Sequence, residues 1–144
     1  MKEVKFYEEA EDALLKFAVI IAEAEGKLVF CKHRKRNTYE IPGGHREEGE
    51  AIEEAAKREL YEETGAVEYS LLPVCVYSVT DPCRFGGRES FGMLYHAEIF
   101  KFEPMLEHEI EKIILVDEWE GEWTYPEIQP KLIKEAARRG YIKR

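Results

Sequence analysis

The sequence predicts a mixed α/β (α+β) domain, and three observations predict it. Strand-like apolar runs at 14–22 and 27–32 precede a helical segment at 50–64. Further runs at 68–79, 89–102 and 112–116 follow it, and a second helical segment lies near the C-terminus. With 144 residues, 44% of them hydrophobic and 35% charged, the chain can bury one real core, so residues 1–144 are expected to form a single domain.

Residues 1–12 are highly charged and read either as an edge strand or as a loose arm. The runs at 14–22 and 27–32, joined by the short turn Glu23-Ala24-Glu25-Gly26, read as a hairpin. Strict alternation is missing from the first of them, which predicts a strand buried on both faces. A dense basic cluster, Lys32-His33-Arg34-Lys35-Arg36, comes next, followed by Asn37 to Gly44. It is either a solvated loop tip or a group that holds the anionic tail of a polyphosphate, with Arg34, Arg36 and Tyr39 as the candidate substrate-binding residues. Pro42-Gly43 fits the centre of a type II turn that would bring the Gly44 backbone close to a site.

The helical segment at 50–64 follows Gly49 and ends at Gly65, where a left-handed cap would close it. Stepping about 100° per residue from Glu50 puts Ala51, Ile52, Ala55, Ala56 and Leu60 on one arc, the side that should face the protein. Glu59, Glu62 and Glu63 fall on the same arc, at about 180°, 120° and 220°. Like charges at this spacing cost roughly 0.2–0.5 kcal/mol per pair, the helix C-terminus disfavours anions, and burial adds to both. A carboxylate cluster of this kind makes sense when it binds a hard cation, Mg²⁺ or Mn²⁺.

After this helix, Pro73 hints at an edge or a bulge in the strand at 68–79. The segment Thr80 to Arg88 has turn composition and is either a plain hairpin loop or a flap over substrate. An acidic loop at 103–111 leads into the strand at 112–116. The last helix starts at Glu127 or Pro130, runs to Arg139 and is closed by Gly140, with Leu132, Ile133, Ala136 and Ala137 as its apolar stripe.

Gly44, five residues, Glu50, seven residues, then Arg58-Glu59-Leu60-Tyr61-Glu62-Glu63-Thr64-Gly65-Ala66 resembles the Nudix box, the motif of the Nudix hydrolases. The last position is the soft match, because the family usually has a larger aliphatic residue than Ala66. The box covers about a sixth of the chain. The resemblance implies an α/β/α sandwich around a mixed, curved sheet. It also implies a metal-dependent hydrolase that cleaves a nucleoside diphosphate linked to another group.

Carried onto this sequence, the resemblance makes Glu59, Glu62 and Glu63 the metal ligands and catalytic carboxylates, one of them doubling as general base. The Gly44 carbonyl is a further ligand, and Glu50, Arg58 and Gly65 keep the motif in register. Nudix enzymes often take another acidic ligand from a later loop, and here Glu109 is preferred over Glu107. The run from Asn37 to His45 is similar to small nucleoside triphosphate pyrophosphohydrolases, including 8-oxo-(d)GTP diphosphatases. ADP-ribose or another dinucleotide is the alternative substrate, and a non-catalytic nucleotide sensor is the alternative class. His45 directly follows Gly44, yet the family motif leaves its position free, while His33, His96 and His108 read as surface or strand residues.

A formal net charge of −9 argues against coating nucleic acid or lying on a membrane, both of which need a broad basic face. The expected partner is a small nucleotide, and the chain is expected to be a monomer or a homodimer. Cys31, Cys75 and Cys83 contain no CxxC pair and read as reduced thiols. Residues 1–17 have no apolar stretch behind basic residues, and no window reaches about 18 apolar residues, so a cytoplasmic protein is expected.

Overall fold

The structure, a computed structural model, describes residues 2–83, 85–104 and 110–143. Its strands are β1 (Glu3–Tyr7), β2 (Leu15–Ala24), β3 (Lys27–His33), β4 (Gly43–His45), β5 (Ala66–Thr80), β6 (Glu89–Phe102) and β7 (Ile110–Val116). The helices are α1 (Ile52–Thr64) and α2 (Gln129–Arg138). The strands form one sheet in the order β1-β5-β6-β2-β3-β7, and β4 also pairs with β2.

The sheet is mixed because β2 runs parallel to β6, with Ala18 opposite Met93 and Ala22 opposite Ala97, while its other pairings are antiparallel. β2 and β3 form the expected hairpin, but pair only at Glu23–Leu28 and Ala24–Lys27. Farther along, β4 takes the place beside β2, matching Phe17 with His45 and Val19 with Gly43. The charged N-terminal segment is an edge strand, and the register shift between Pro73 and Cys75 is the bulge that the proline signalled.

Alternate residues of β2 face opposite sides, so both sides are apolar. Ala18, Ile20 and Ala22 pack with Ala55, Ala56 and Leu60 of α1, where the small alanines let the helix approach closely. Val19 and Ile21 pack on the other side with Leu132 and Ala136 of α2. The result is a sheet between two helices.

Helix α1 begins two residues after Glu50 because the Glu50 carboxylate is used elsewhere; the Ala51 N–H is capped at 2.8 Å by the Glu54 carboxylate. Gly65 ends it in the left-handed conformation, with φ 81. At Pro42-Gly43 the expected type II turn is absent. Gly43 does not have the positive φ that turn requires and is instead the first residue of β4. It is glycine for a different reason: a Cβ there would lie 2.6 Å from the Ala18 carbonyl oxygen and 2.9 Å from the Val19 Cα.

Candidate active site and metal centre

The site is built where the C-terminal half of α1 lies against β4. Glu63 is buried, and its Oε1 accepts the Gly43 N–H at 2.8 Å. Glu59, its side chain 13% exposed, reaches the backbone of Gly44: a Cβ on Gly44 would stand 2.1 Å from Glu59 Oε2. The two glycines therefore admit the two carboxylates to the same short strand. Burial, and then the charge of Glu63, push the Glu59 carboxyl up to about 7. Burial also raises Glu63, against the opposing pull of His33 and the Gly43 N–H. A proton or a cation relieves the repulsion of such a pair, and a hard divalent ion suits its oxygen donors.

The third box carboxylate behaves differently. The helical angle points Glu62 inward, but its side chain is 51% exposed and it pairs with Arg58 at 3.2 Å. An angle of about 120° puts it at the rim of the buried arc, and the longer reach of a glutamate carries it to solvent.

Arg58 organises the opening. Its guanidinium donates to Glu50 at 2.7 and 3.0 Å, to Glu59 at 3.1 Å and to the His45 carbonyl at 2.9 Å. The contact with Arg58 holds the Glu50 carboxyl down at about 2. Glu50 also accepts the Glu47 N–H at 3.0 Å, which ties down the loop between β4 and α1. The motif residues Glu50 and Arg58 are thus brought together with Glu59 and Gly44.

The basic cluster is split, with Lys32 and His33 half-buried and Arg34, Lys35 and Arg36 exposed. Lys32 pairs with Glu111 at 2.7 Å, Arg36 pairs with Glu40 at 2.9 Å, and His33 Nε2 lies 3.3 Å from Glu63 and 3.4 Å from Glu40. Arg34 is exposed after β3, and the Tyr39 ring packs at a tilt of 51° against Trp119 with centroids 4.5 Å apart. His33 and Glu40 are site residues that sequence reasoning missed. The alternation Val29, Cys31, His33 along β3 was a usable signal, since the first two are fully buried and the third must face the same way. Glu109, Glu107 and His108 lie outside the described residues.

A cavity of about 400 Å³ begins at the same glycines and opens on the α2 side of the sheet. Phe17, Val19, Ile41, Tyr77 and Leu132 give it apolar walls, and Lys2, Asp81, Ser90 and Gln129 supply polar groups. Gln129 is fixed by the Ile41 N–H, which its side-chain oxygen accepts at 2.8 Å. The His45 ring packs on Phe17 at 4.5 Å and lines the same space. Its size and its apolar walls with a few polar groups suit a nucleoside. Among the described residues, no helix is long and apolar enough to cross a membrane.

Known proteins resemble the chain throughout. A family model described as the NUDIX domain matches residues 13–141. A Bacillus subtilis (strain 168) protein named "Putative 8-oxo-dGTP diphosphatase YtkD" is 37% identical over 91 residues, 62% of this chain and 53% of that protein. The chain thus spans about half the length of that curated relative. A crystal structure of the Bacillus subtilis pyrophosphohydrolase BsRppH superposes with a TM-score of 0.79 at 26% identity, covering 99% of this chain and 93% of that one. The NUDIX domain of Shewanella oneidensis NrtR, solved with ADP ribose, shares the fold, with a TM-score of 0.66 at 16% identity over 87% of each chain.

Proposed function

The chain belongs to the NUDIX domain family, and from that premise we propose that it is a single-domain hydrolase of nucleoside diphosphate derivatives, acting with Mg²⁺ or Mn²⁺. Its preferred substrate class is a nucleoside triphosphate, oxidised purines such as 8-oxo-dGTP included, cleaved to the monophosphate and pyrophosphate. The observation that carries this reading is the placing of the half-buried Glu59 and the buried Glu63 against Gly43 and Gly44, two glycines that also line a cavity of nucleoside size. A binding-only module has no use for a half-buried and a buried carboxylate that repel one another.

Glu59, Glu63 and the half-exposed Glu62 would hold the cation, with the Gly44 carbonyl beside them. When bound, the metal offsets phosphate charge and lowers the pKa of the attacking water. The chain does the rest by position. Glu63 is aimed by the Gly43 N–H and Glu59 is braced by Arg58, so neither carboxylate reorganises when substrate arrives. Phe17, Val19, Ile41 and Tyr77 take the base out of water, and Asp81, Ser90 and Gln129 are placed to read its polar edge. Arg34 is assigned to the polyphosphate tail, while Arg36 and Tyr39 act one step back through Glu40 and Trp119. Glu109 is retained as a further ligand from its sequence position.

The test is a panel of nucleoside triphosphates, 8-oxo-dGTP, ADP-ribose and dinucleotides with Mg²⁺, run in ¹⁸O-labelled water with product identification. Monophosphate and pyrophosphate from a triphosphate are expected. Orthophosphate as the primary product overturns the assignment, and turnover of ADP-ribose alone moves it to the dinucleotide class.

A further inference from the structure

The carboxylates of Glu40 and Glu63 converge on one imidazole nitrogen from separate parts of the chain. His33 Nε2 is 3.4 Å from Glu40 Oε2 and 3.3 Å from Glu63 Oε2, and one ligand atom from each of the three residues lies within 4.8 Å of the others. One N–H shared between two carboxylate oxygens accounts for separations of this length, which are longer than the about 2.7–2.9 Å of a single charge-assisted bond. They match the distance of about 3.3–3.4 Å between neighbouring ligands on a tetrahedral ion with bonds of about 2.0–2.1 Å.

The atoms that do not face His33 are already taken. Glu63 Oε1 accepts the Gly43 N–H at 2.8 Å and Glu40 Oε1 accepts from Arg36 at 2.9 Å, leaving each Oε2 aimed at the same point. Outer contacts of this kind are what orient ligands in built metal sites. Cys31, two residues before His33 on the same strand, puts its Sγ 4.0 Å from Glu63 Oε1, within the same buried space.

From this geometry we propose that His33, Glu40 and Glu63 form a transition-metal site, for Zn²⁺ or a cation of similar preference, which overlaps the hard-cation site of Glu59, Glu62 and Glu63 at Glu63 alone. Imidazole nitrogen selects against Mg²⁺, which takes oxygen in octahedral geometry, and for Zn²⁺, Co²⁺ or Ni²⁺. Glu63 belongs to both sets, so an ion on His33 and Glu40 withdraws it from the hard-cation site and inhibits turnover. The inhibition rests on the hydrolase reading; the binding does not.

The experiment uses the full chain freed of metal with a chelator, with no nucleotide present. Zn²⁺ affinity is measured by competition with a chromophoric chelator, Mg²⁺ affinity by thermal shift, and coordination by the visible spectrum with Co²⁺. One Zn²⁺ per chain and the intense spectrum of four-coordinate Co²⁺ are expected. His33→Gln and Glu40→Gln should each weaken Zn²⁺ by about 100-fold or more, with Mg²⁺ affinity changed by less than about threefold. In a separate turnover assay with Mg²⁺ and nucleotide, a Zn²⁺ concentration that halves the parent's rate should leave each variant at its own zinc-free rate. Unchanged Zn²⁺ affinity in both variants, or the pale spectrum of octahedral Co²⁺, overturns the site. Spectra of the parent decide the matter if neither variant folds. Zn²⁺ binding as described, in a protein that turns over no nucleotide, sinks the hydrolase reading and leaves the metal site standing.

Discussion

Replacing Gly44 and Gly43 separately by alanine tests whether the position of Glu59 matters more than its presence. At Gly44 the atoms nearest the new Cβ all belong to the end of a flexible side chain, at 2.1 Å for Glu59 Oε2 and 2.4 Å for its Cδ. Ordinary contact starts at 3.4 Å, so the carboxylate must retreat by about 1.3 Å, and a misplacement of about 1 Å at a reacting centre can cost about 100-fold in rate. At Gly43 the Cβ would meet backbone of β2, 2.6 Å from the Ala18 oxygen, and backbone cannot swing aside. Overpacking of this kind costs about 1–3 kcal/mol, or about 4–12 °C in Tm at about 4 °C per kcal/mol for a chain of this length. The expected pattern is a double dissociation. Gly44→Ala keeps Tm within about 3 °C and loses about 100-fold in kcat with Mg²⁺ saturating, whereas Gly43→Ala loses Tm first. Calorimetry and steady-state hydrolysis measure both. A Gly44→Ala enzyme within threefold of the parent rate, or one less stable than Gly43→Ala, refutes the reasoning.

Mg²⁺ at about 100 times its Kd should stabilise the protein by about 2.7 kcal/mol, near 10 °C in Tm, and Glu59→Gln should lose most of that gain while being no less stable without metal. Arg58→Lys keeps the charge but not the fork that reaches Glu50, Glu59 and the His45 carbonyl together, so Tm and turnover should both fall, and a variant matching the parent in both would contradict the bracing role. Glu135 is held down at about 2 by Arg138 and Arg139. Because its folded pKa is depressed, its stabilisation is present above the ordinary carboxylate range and is lost as pH falls from about 4.5 towards 2. Acid unfolding of Glu135→Gln should therefore be less steep across that window, and superimposable parent and variant curves would rule the contribution out.

The box is legible in the sequence because its glutamates make a poor surface helix: the cost of placing them together calls for a cation, wherever the strands around them lie. Gly65 and the strand-like runs are readable for similar local reasons. Long-range pairing is not. Nothing near β2 in sequence says that β6 runs parallel to it, or that three residues of β4 displace β3 along half its length. The turn assigned to Pro42-Gly43 shows the limit clearly, since the same glycine answers two demands, a positive φ or a close backbone approach, and only the position of Ala18 decides between them. Glu62 marks a second limit: helical angle alone does not separate the rim of a buried arc from its centre.

Charge pairing across the chain has a functional consequence. Taken locally, residues 32–36 are a cationic patch available to a polyphosphate. In the fold Lys32 pairs with the exposed Glu111, His33 lies between the buried Glu63 and Glu40, and Arg36 pairs with Glu40, while Arg34 and Lys35 stand exposed. Glu40 is 5% exposed and would be an uncompensated buried charge without those partners. Under the proposed function, the positive charge that meets a substrate's phosphates would come from bound metal together with Arg34. On that reading, activity depends on divalent cations more than the basic run in the sequence suggests, and the ion at Glu63 would be a point of control.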